Sequence, residues 1–341
     1  MLSSTPQHDL RIPIPQRPST RAAVSAEHHA HLAARLTTRD RWIARMLAEH
    51  RVLTSTQITQ LAFPSRRATN LRLRQLYCWR VINRFQPYIG AGRAPMFYVL
   101  DVAGAHALAH EDGIDPTVLK FRPEHSIGIA HSLRLAHTHG VNSVFTTLIH
   151  HARAHPDREL RAWWPESRCT ATWGDIVRPD AYGRWRDHHG EIEWFLEWDT
   201  GTYPLARVAA KLTGYAQLAA TSVIVTPVLL CFATARREAH ARTTLTQYAR
   251  GLPRPQAVPL ATTSTEHLRN TTPAGPIWSP LDTTQPGRVA LSELATAWPH
   301  LTALHAVRHA PSPVGSRDRP TALRPPEPMP PWQDTDLTWT G

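Results

Sequence analysis

Between residues 39 and 100 the hydrophobic pattern changes period. Trp42, Ile43, Met46 and Leu47 recur at helical spacing after Thr38, a good N-cap residue. Thr54 suits the cap of a second helix in which Ile58, Leu61 and Ala62 face inward. Pro64-Ser65 makes a turn and a cap for a third helix over 66–79. That helix turns Leu71, Leu73, Leu76 and Tyr77 toward a core and leaves Arg66, Arg67, Asn70, Arg72 and Arg74 outside. Residues 81–85 and 96–100 then read as strands, joined by a Gly/Pro-containing loop that carries Arg93. Three helices followed by a hairpin is the order of a winged helix-turn-helix, with 87–95 as its wing. A further helix over 103–110 ends at Gly113.

The second half has a different rhythm. A long helical pattern over 125–154 (Ile129, Leu133, Val144, Leu148) is expected to break near Gly140. Strands follow at 160–164, 175–182 and 192–199, then a helix at 205–219, a strand at 228–233 and a helix at 235–250. The order α-β-β-β-α-β-α predicts an α/β layer beside the helical unit, an α+β protein of two domains. Residues 1–34, with scattered prolines and the histidines His28, His29 and His31, read as a disordered arm. From 252 onward Pro and Thr dominate, with about half of the 30 prolines, and the stretch reads as a largely disordered tail with one helix at 289–298 docking back. The expected organisation is an arm (1–34), a DNA-binding domain (35–120), an α/β domain (121–251) and a tail (252–341).

Charge sharpens the first assignment. The chain of 341 residues has a formal net charge of +11. From Arg35 to Arg93 there are twelve arginines, no lysine, and two acids, Asp40 and Glu49. So concentrated an excess is a nucleic-acid footprint, which makes double-stranded DNA the expected partner. Arg pairs bidentately with guanine and Asn with adenine, so Arg66, Arg67, Asn70, Arg72 and Arg74 on a groove-filling helix, with Arg93 on the wing, are the candidate contacts. The three cysteines Cys78, Cys169 and Cys231 lie far apart, which argues against a disulfide framework or a zinc-thiolate site. The N-terminus has no apolar run, and the longest apolar stretch, 223–233, is too short to span a bilayer, so a cytoplasmic setting without a membrane partner is expected.

The chemistry lies in the second half. Strand alternation puts Glu193, Phe195, Glu197 and Asp199 on one face and Trp194, Leu196 and Trp198 on the other. Asp180 ends the preceding candidate strand, so Asp180, Glu197 and Asp199 can converge at neighbouring strand ends. Such carboxylates suit Mg²⁺ or Mn²⁺, which activate water and stabilise charge at a phosphodiester. Only two of the 38 basic residues are lysines, and one of them, Lys211, lies on the following helix where it can reach the same site. His137-Thr138-His139 has His-x-His spacing but no tyrosine beside it, and reads as a solvated pair rather than a relaxase triad.

Pro179-Asp180 followed by Glu197-x-Asp199 resembles the PD-(D/E)xK nuclease superfamily, whose core order is also α-β-β-β-α-β. The resemblance implies metal ligands at Asp180 and Glu197, with Glu166 as the extra acid of some members and His125 or His131 as a further ligand. It departs at Asp199, where the superfamily has Lys; Lys211 then stands as a migrated lysine. Lys211-x-x-x-Tyr215 is similar to the Gln-x-x-x-Tyr element of RecB-like members. Taken together, the basic N-terminal unit, Arg178-Pro179-Asp180-Ala181-Tyr182-Gly183, Phe195-Leu196-Glu197-Trp198-Asp199-Thr200-Gly201-Thr202 and Lys211-Leu212-Thr213-Gly214-Tyr215 resemble the replication-relaxation family of plasmids and integrative elements. That resemblance implies DNA transactions on mobile elements, with other replication or mobilisation proteins as further partners. Two activities follow from it: a metal-dependent endonuclease or nickase with Asp180, Glu197, Asp199 and Lys211 as its catalytic group, or a non-catalytic regulator whose nuclease-like domain is a scaffold.

Overall fold

The computed structural model describes residues 21–22, 25–88, 94–222, 225–281, 287–298, 301 and 322–332. They form two compact units: 21–142 with 322–332, and 143–301.

The first unit opens with α1 (Ala26–Arg35), where a disordered arm is expected from composition. Ser25 caps it, and Leu32 and Leu36 are buried, which anchors a segment whose His and Ala content looks solvated. Next come α2 (Thr38–His50), β1 (Leu53–Thr54), α3 (Ser55–Ala62), α4 (Arg66–Cys78), β2 (Ile82–Phe85), β3 (Phe97–Leu100), α5 (Val102–Glu111), α6 (Pro116–Leu119) and α7 (Pro123–Ile127). The caps are local and legible. Thr37, one residue before the expected Thr38, forms a reciprocal capping box with Asp40, and Thr54 forms one with Gln57. Ser65 caps α4.

Trp42, Ile43, Met46, Leu47, Ile58, Leu61, Leu73, Leu76 and Tyr77 are buried as the spacing predicts. Leu71 is not: it is 64% exposed. At about 100° per residue it sits roughly 200° around the helix from Leu73, on the outer face. The strands form an antiparallel sheet in the order β1-β3-β2, with Leu53 opposite Tyr98 and Ile82 opposite Leu100. β1 is too short to show as a period in the sequence.

The helix expected to break near Gly140 breaks earlier. A 3₁₀ turn over Gly128–His131 buries Ile129 against Val52, Phe85, Phe97 and Val99. Ser132 Oγ then accepts from Arg134 N at 3.1 Å, and α8 (Leu135–Arg153) runs on without interruption through Gly140. The division between units falls inside α8, at 142/143 rather than the expected 120/121.

The second unit contains β4 (Glu159–Pro165), α9 (Glu166–Trp173), β5 (Ala181–Asp187), β6 (Gly190–Asp199), α10 (Leu205–Ser222), β7 (Val228–Phe232), α11 (Ala235–Arg250), β8 (Leu260–Ser264), α12 (Thr265–Asn270), β9 (Ser279–Pro280) and α13 (Leu294–Ala297). One six-stranded mixed sheet has the order β4-β5-β6-β7-β8-β9. β4, β5 and β6 form an antiparallel meander, whereas β6, β7 and β8 are parallel, connected by α10 and α11. On one face Phe195, Leu230 and Phe232 pack against Leu212, Tyr215, Ala241 and Leu245 of the two connecting helices. On the other, Phe145 of α8 stacks on Trp163 and Trp194, with ring centroids 5.1 and 6.1 Å apart.

The tail expected to be disordered from 252 contributes β8, α12, β9 and α13, and Trp278 is fully buried. β8 reads as low complexity because its core side chains are Thr and Ser. Of these, Thr262 is satisfied by a hydrogen bond: its Oγ1 donates to Glu238 Oε1 at 2.7 Å, and Arg288 donates to both Glu238 oxygens at 3.0 and 2.9 Å, whereas Thr263 Oγ1 and Ser264 Oγ are buried without a hydrogen-bond partner among the described residues. The helix expected over 289–298 is reduced to α13, and Val289 instead bridges to Trp278.

Candidate functional site

Strand register builds the site. Pro165 pairs with Ala181, and Ala181 with Leu196. One step further along each strand stand Glu166, Asp180 and Glu197, a row of three acids across the ends of β4, β5 and β6. Asp180 and Glu197 are buried. Asp180 Oδ2 accepts from the backbone N–H of Trp198 at 2.8 Å, so the carboxylate is tied to the neighbouring strand just beyond the last β5–β6 pair.

α10 supplies the other half. Lys211 and Tyr215 lie one turn apart on one helix face, and both reach Glu197. Tyr215 Oη donates to Glu197 Oε1 at 2.5 Å, and the Lys211 ammonium pairs with Glu197 Oε2. The same ammonium lies 3.8 Å from Asp180 Oδ1. Gly214 makes this approach possible. A Cβ there would stand 2.9 Å from Ile176 O and 3.2 Å from Val177 Cβ, in the segment leading to Asp180. The Lys-Leu-Thr-Gly-Tyr run therefore encodes one surface: two side chains for Glu197 and a bare backbone for the chain that delivers Asp180.

The electrostatics follow from burial. Desolvation and the charge of Asp180 push Glu197 up to about 7, against the pull of Lys211 and Tyr215. Lys211 is raised despite its own desolvation, because Glu197, Asp180 and Glu166 favour its charged form. The Cys169 thiol is raised by burial and by the same acids, and stays protonated. The cluster thus carries more negative than positive charge even with Lys211 in place.

Asp199 does not join it. Arg237 on α11 binds it in a fork, through Nε to Oδ2 and through Nη2 to Oδ1 at 3.1 Å. Arg237 gives no motif-level signal beyond a basic residue after the Thr234 cap, and sequence reasoning misses it. His125 and His131 belong to the first unit, and the acids belong to the second. His139 is not a solvated residue: its ring meets Phe97 edge-on at 5.5 Å, and burial lowers its pKa to about 4.

Among the described residues no three His, Cys, Asp or Glu side chains are gathered in a way that could hold a metal ion. The donor chemistry nonetheless fits a hard cation at two positions, Asp180 and Glu197, both oxygen donors. It does not fit Asp199, which Arg237 neutralises.

In the first unit, Arg66, Arg67, Asn70 and Arg74 are exposed on α4, with Leu71 among them. Arg72 is spent elsewhere. Its guanidinium pairs with buried Asp40, through Nε to Oδ1 at 2.9 Å and through Nη2 to Oδ2, and lies 5.2 Å from the Trp79 ring centre. It clamps α4 to α2. Arg93 lies outside the described residues. No helix among the described residues is long and apolar enough to cross a membrane.

These features define a two-unit protein: a helical unit with a small antiparallel sheet, and a mixed α/β sheet with an acid–lysine cluster at its strand ends. The replication-relaxation family model matches residues 45–227, and the chain belongs to that family. No curated protein and no solved structure matches the chain. Membership suggests a role in plasmid or mobile-element replication or transfer.

Proposed function

We propose that the protein binds double-stranded DNA during mobile-element replication or transfer and carries a divalent-metal-dependent site for cleaving a phosphodiester. The observation that carries this reading is the convergence of Asp180, Glu197 and Lys211 at one end of the mixed sheet. The succession of α8, β4, β5, β6, α10 and β7 supports it, because it matches the α-β-β-β-α-β core of PD-(D/E)xK nucleases, with α9 as an insertion. Asp180 and Glu197 would hold Mg²⁺ or Mn²⁺, which would supply Lewis-acid activation at the scissile phosphodiester. Lys211 is placed to neutralise a phosphate oxygen, and Tyr215 holds Glu197 in orientation. In the first unit the helices α2, α3 and α4 with the β1-β3-β2 sheet are read as a winged helix-turn-helix, in which α4 presents Arg66, Arg67, Asn70 and Arg74 to the major groove.

A second reading is favoured by one specific observation: Tyr215 and Lys211 between them engage both oxygens of Glu197. That arrangement suits a scaffold, in which the sheet unit is structural and the protein is a DNA-binding regulator. Incubation with supercoiled plasmid and Mg²⁺ or Mn²⁺ separates the two. Nicking that disappears in folded Asp180→Ala and Glu197→Ala variants is the expected result. No nicking with either metal, or equal nicking by the variants, leaves the regulator.

A further inference from the structure

Residues 322–332 pack on the first unit although they follow Trp42 by about 280 positions. The run Arg324-Pro-Pro-Glu-Pro-Met-Pro-Pro-Trp332 places five prolines among nine residues. Proline has no backbone N–H, so such a segment offers carbonyl acceptors and few donors. α2 supplies the missing donors. The Trp42 indole Nε1 donates to Glu327 O at 2.9 Å, and Arg45 Nη1 donates to Arg324 O at 3.2 Å.

The two ends of the segment are read by side chains. Asp112, just after α5, accepts from Arg324 N at 2.8 Å and lies 3.5 Å from Arg324 Nε. At the other end the Trp332 ring meets Trp42 edge-on with centroids 5.4 Å apart, and the Arg39 guanidinium lies 5.2 Å from the Trp332 ring centre. An indole donor to a carbonyl, aromatic packing, and a charge that fixes direction are the chemistry by which aromatic-lined surfaces recognise proline-rich chains. A stiff segment loses little conformational entropy on docking, which favours recognition by a small set of interactions.

We propose that the outer face of α2, with Asp112 at one end and Arg39 at the other, is a binding site for a proline-rich peptide that begins with Arg and ends with Trp. Residues 324–332, within the docked segment 322–332, are its built-in ligand. The site is a recognition surface in its own right, and the tethered copy fills it at an effective concentration on the order of millimolar.

The test uses the full chain and a labelled synthetic peptide of residues 322–332, followed by fluorescence anisotropy. R324A/W332A in the full chain disables the tethered ligand without touching α2. The peptide is expected to bind this variant saturably at micromolar concentration, and to bind the unaltered chain at least tenfold more weakly. A peptide carrying Trp332→Ala binds the variant at least tenfold more weakly. If R324A/W332A also lowers Tm, the wild-type peptide restores it, because a ligand of the folded state stabilises it. Peptide that neither binds nor raises Tm, binds both chains equally, or binds equally well without its tryptophan overturns the proposal.

Discussion

Glu197 and Asp199 stand two residues apart on one face of β6 and end in opposite electrostatic states. Asp199 is held by the two-pronged grip of Arg237. Glu197 shares one lysine with Asp180, and burial pushes it up to about 7. A single strand therefore carries one carboxylate with an arginine of its own and one that shares its lysine with a second acid. The carboxylate that shares its lysine belongs to the cluster that the proposed chemistry needs.

The Asp199–Arg237 pair is a structural tie between β6 and α11. Asp199→Asn leaves the Arg237 guanidinium without its anion, and Arg237→Ala leaves Asp199 largely buried and unpaired. Each is expected to cost about 1–2 kcal/mol, a value reduced for the partial exposure of Arg237. A double-mutant cycle in urea unfolding should show the two losses to be non-additive by about 1 kcal/mol. Nicking by Asp199→Asn should remain within about twofold of the unaltered protein, in contrast to Glu197→Gln. Additive losses would show that the two residues do not act as a pair.

Glu197 predicts a pH dependence of metal binding. Its raised pKa means that below about 7 a cation must displace a proton. Mn²⁺ affinity should rise by up to about tenfold per unit as the pH increases toward 7, then level off. The linked effect on stability has the opposite sense. The raised pKa favours the folded chain at pH values below the ordinary 4.5, and this contribution is lost as the pH rises through about 7. Titration calorimetry with Mn²⁺ from pH 5.5 to 8 measures the first effect. A Glu197→Gln variant with the same pH dependence as the unaltered chain would remove Glu197 from the metal site.

The elements legible in the sequence are those whose signal is local. The caps at Thr54 and Ser65, the buried faces of α2 and α3, and the face alternation of β6 all depend on neighbours within a few positions. Asp180, Glu197 and Lys211 are legible because a short motif and a rare lysine mark them. Arg237 is not, since one arginine among many carries no mark until the fold brings it to Asp199. β8 escapes the pattern because three of its five buried side chains are Thr or Ser, and Thr262 finds its partner in the distant Glu238. The segment 322–332 reads as tail because its docking depends on Trp42 and Asp112, far away in the chain. Leu71 shows the opposite error, in which an apolar residue is expected inward although its angle around α4 turns it out.

Gly183 gives a test of the sheet's packing that is independent of any activity. It pairs with Trp194 across β5 and β6, and a Cβ there would stand 2.4 Å from the Trp194 ring and 2.8 Å from the Phe145 ring. Neither ring has a soft end to move, and Phe145 is already stacked between Trp163 and Trp194. Gly183→Ala should destabilise the sheet unit by about 1–3 kcal/mol through overpacking. Denaturant unfolding followed by tryptophan fluorescence reads this directly. A neutral substitution would mean that the rings move apart at little cost.

The four arginines of α4 should divide in a way that charge alone does not predict. Arg66, Arg67 and Arg74 are exposed, and reversing each to Glu should leave the fold intact while lowering DNA affinity and reducing its salt dependence. Removing one arginine–phosphate pair should reduce the slope of log K against log salt by about 1. Arg72 carries the same formal charge, but Asp40 neutralises it and Trp79 covers it. Arg72→Ala should therefore act first on stability, because it leaves Asp40 as a buried anion, at a cost of about 2–4 kcal/mol. At a temperature where the variant is folded, its salt slope should match that of the unaltered chain. Arg72→Ala combined with Asp40→Asn separates the two roles. Recovery of stability with an unchanged slope is expected if Arg72 clamps α4 to α2, whereas a slope reduced by about 1 in the stabilised double variant would place Arg72 on the DNA.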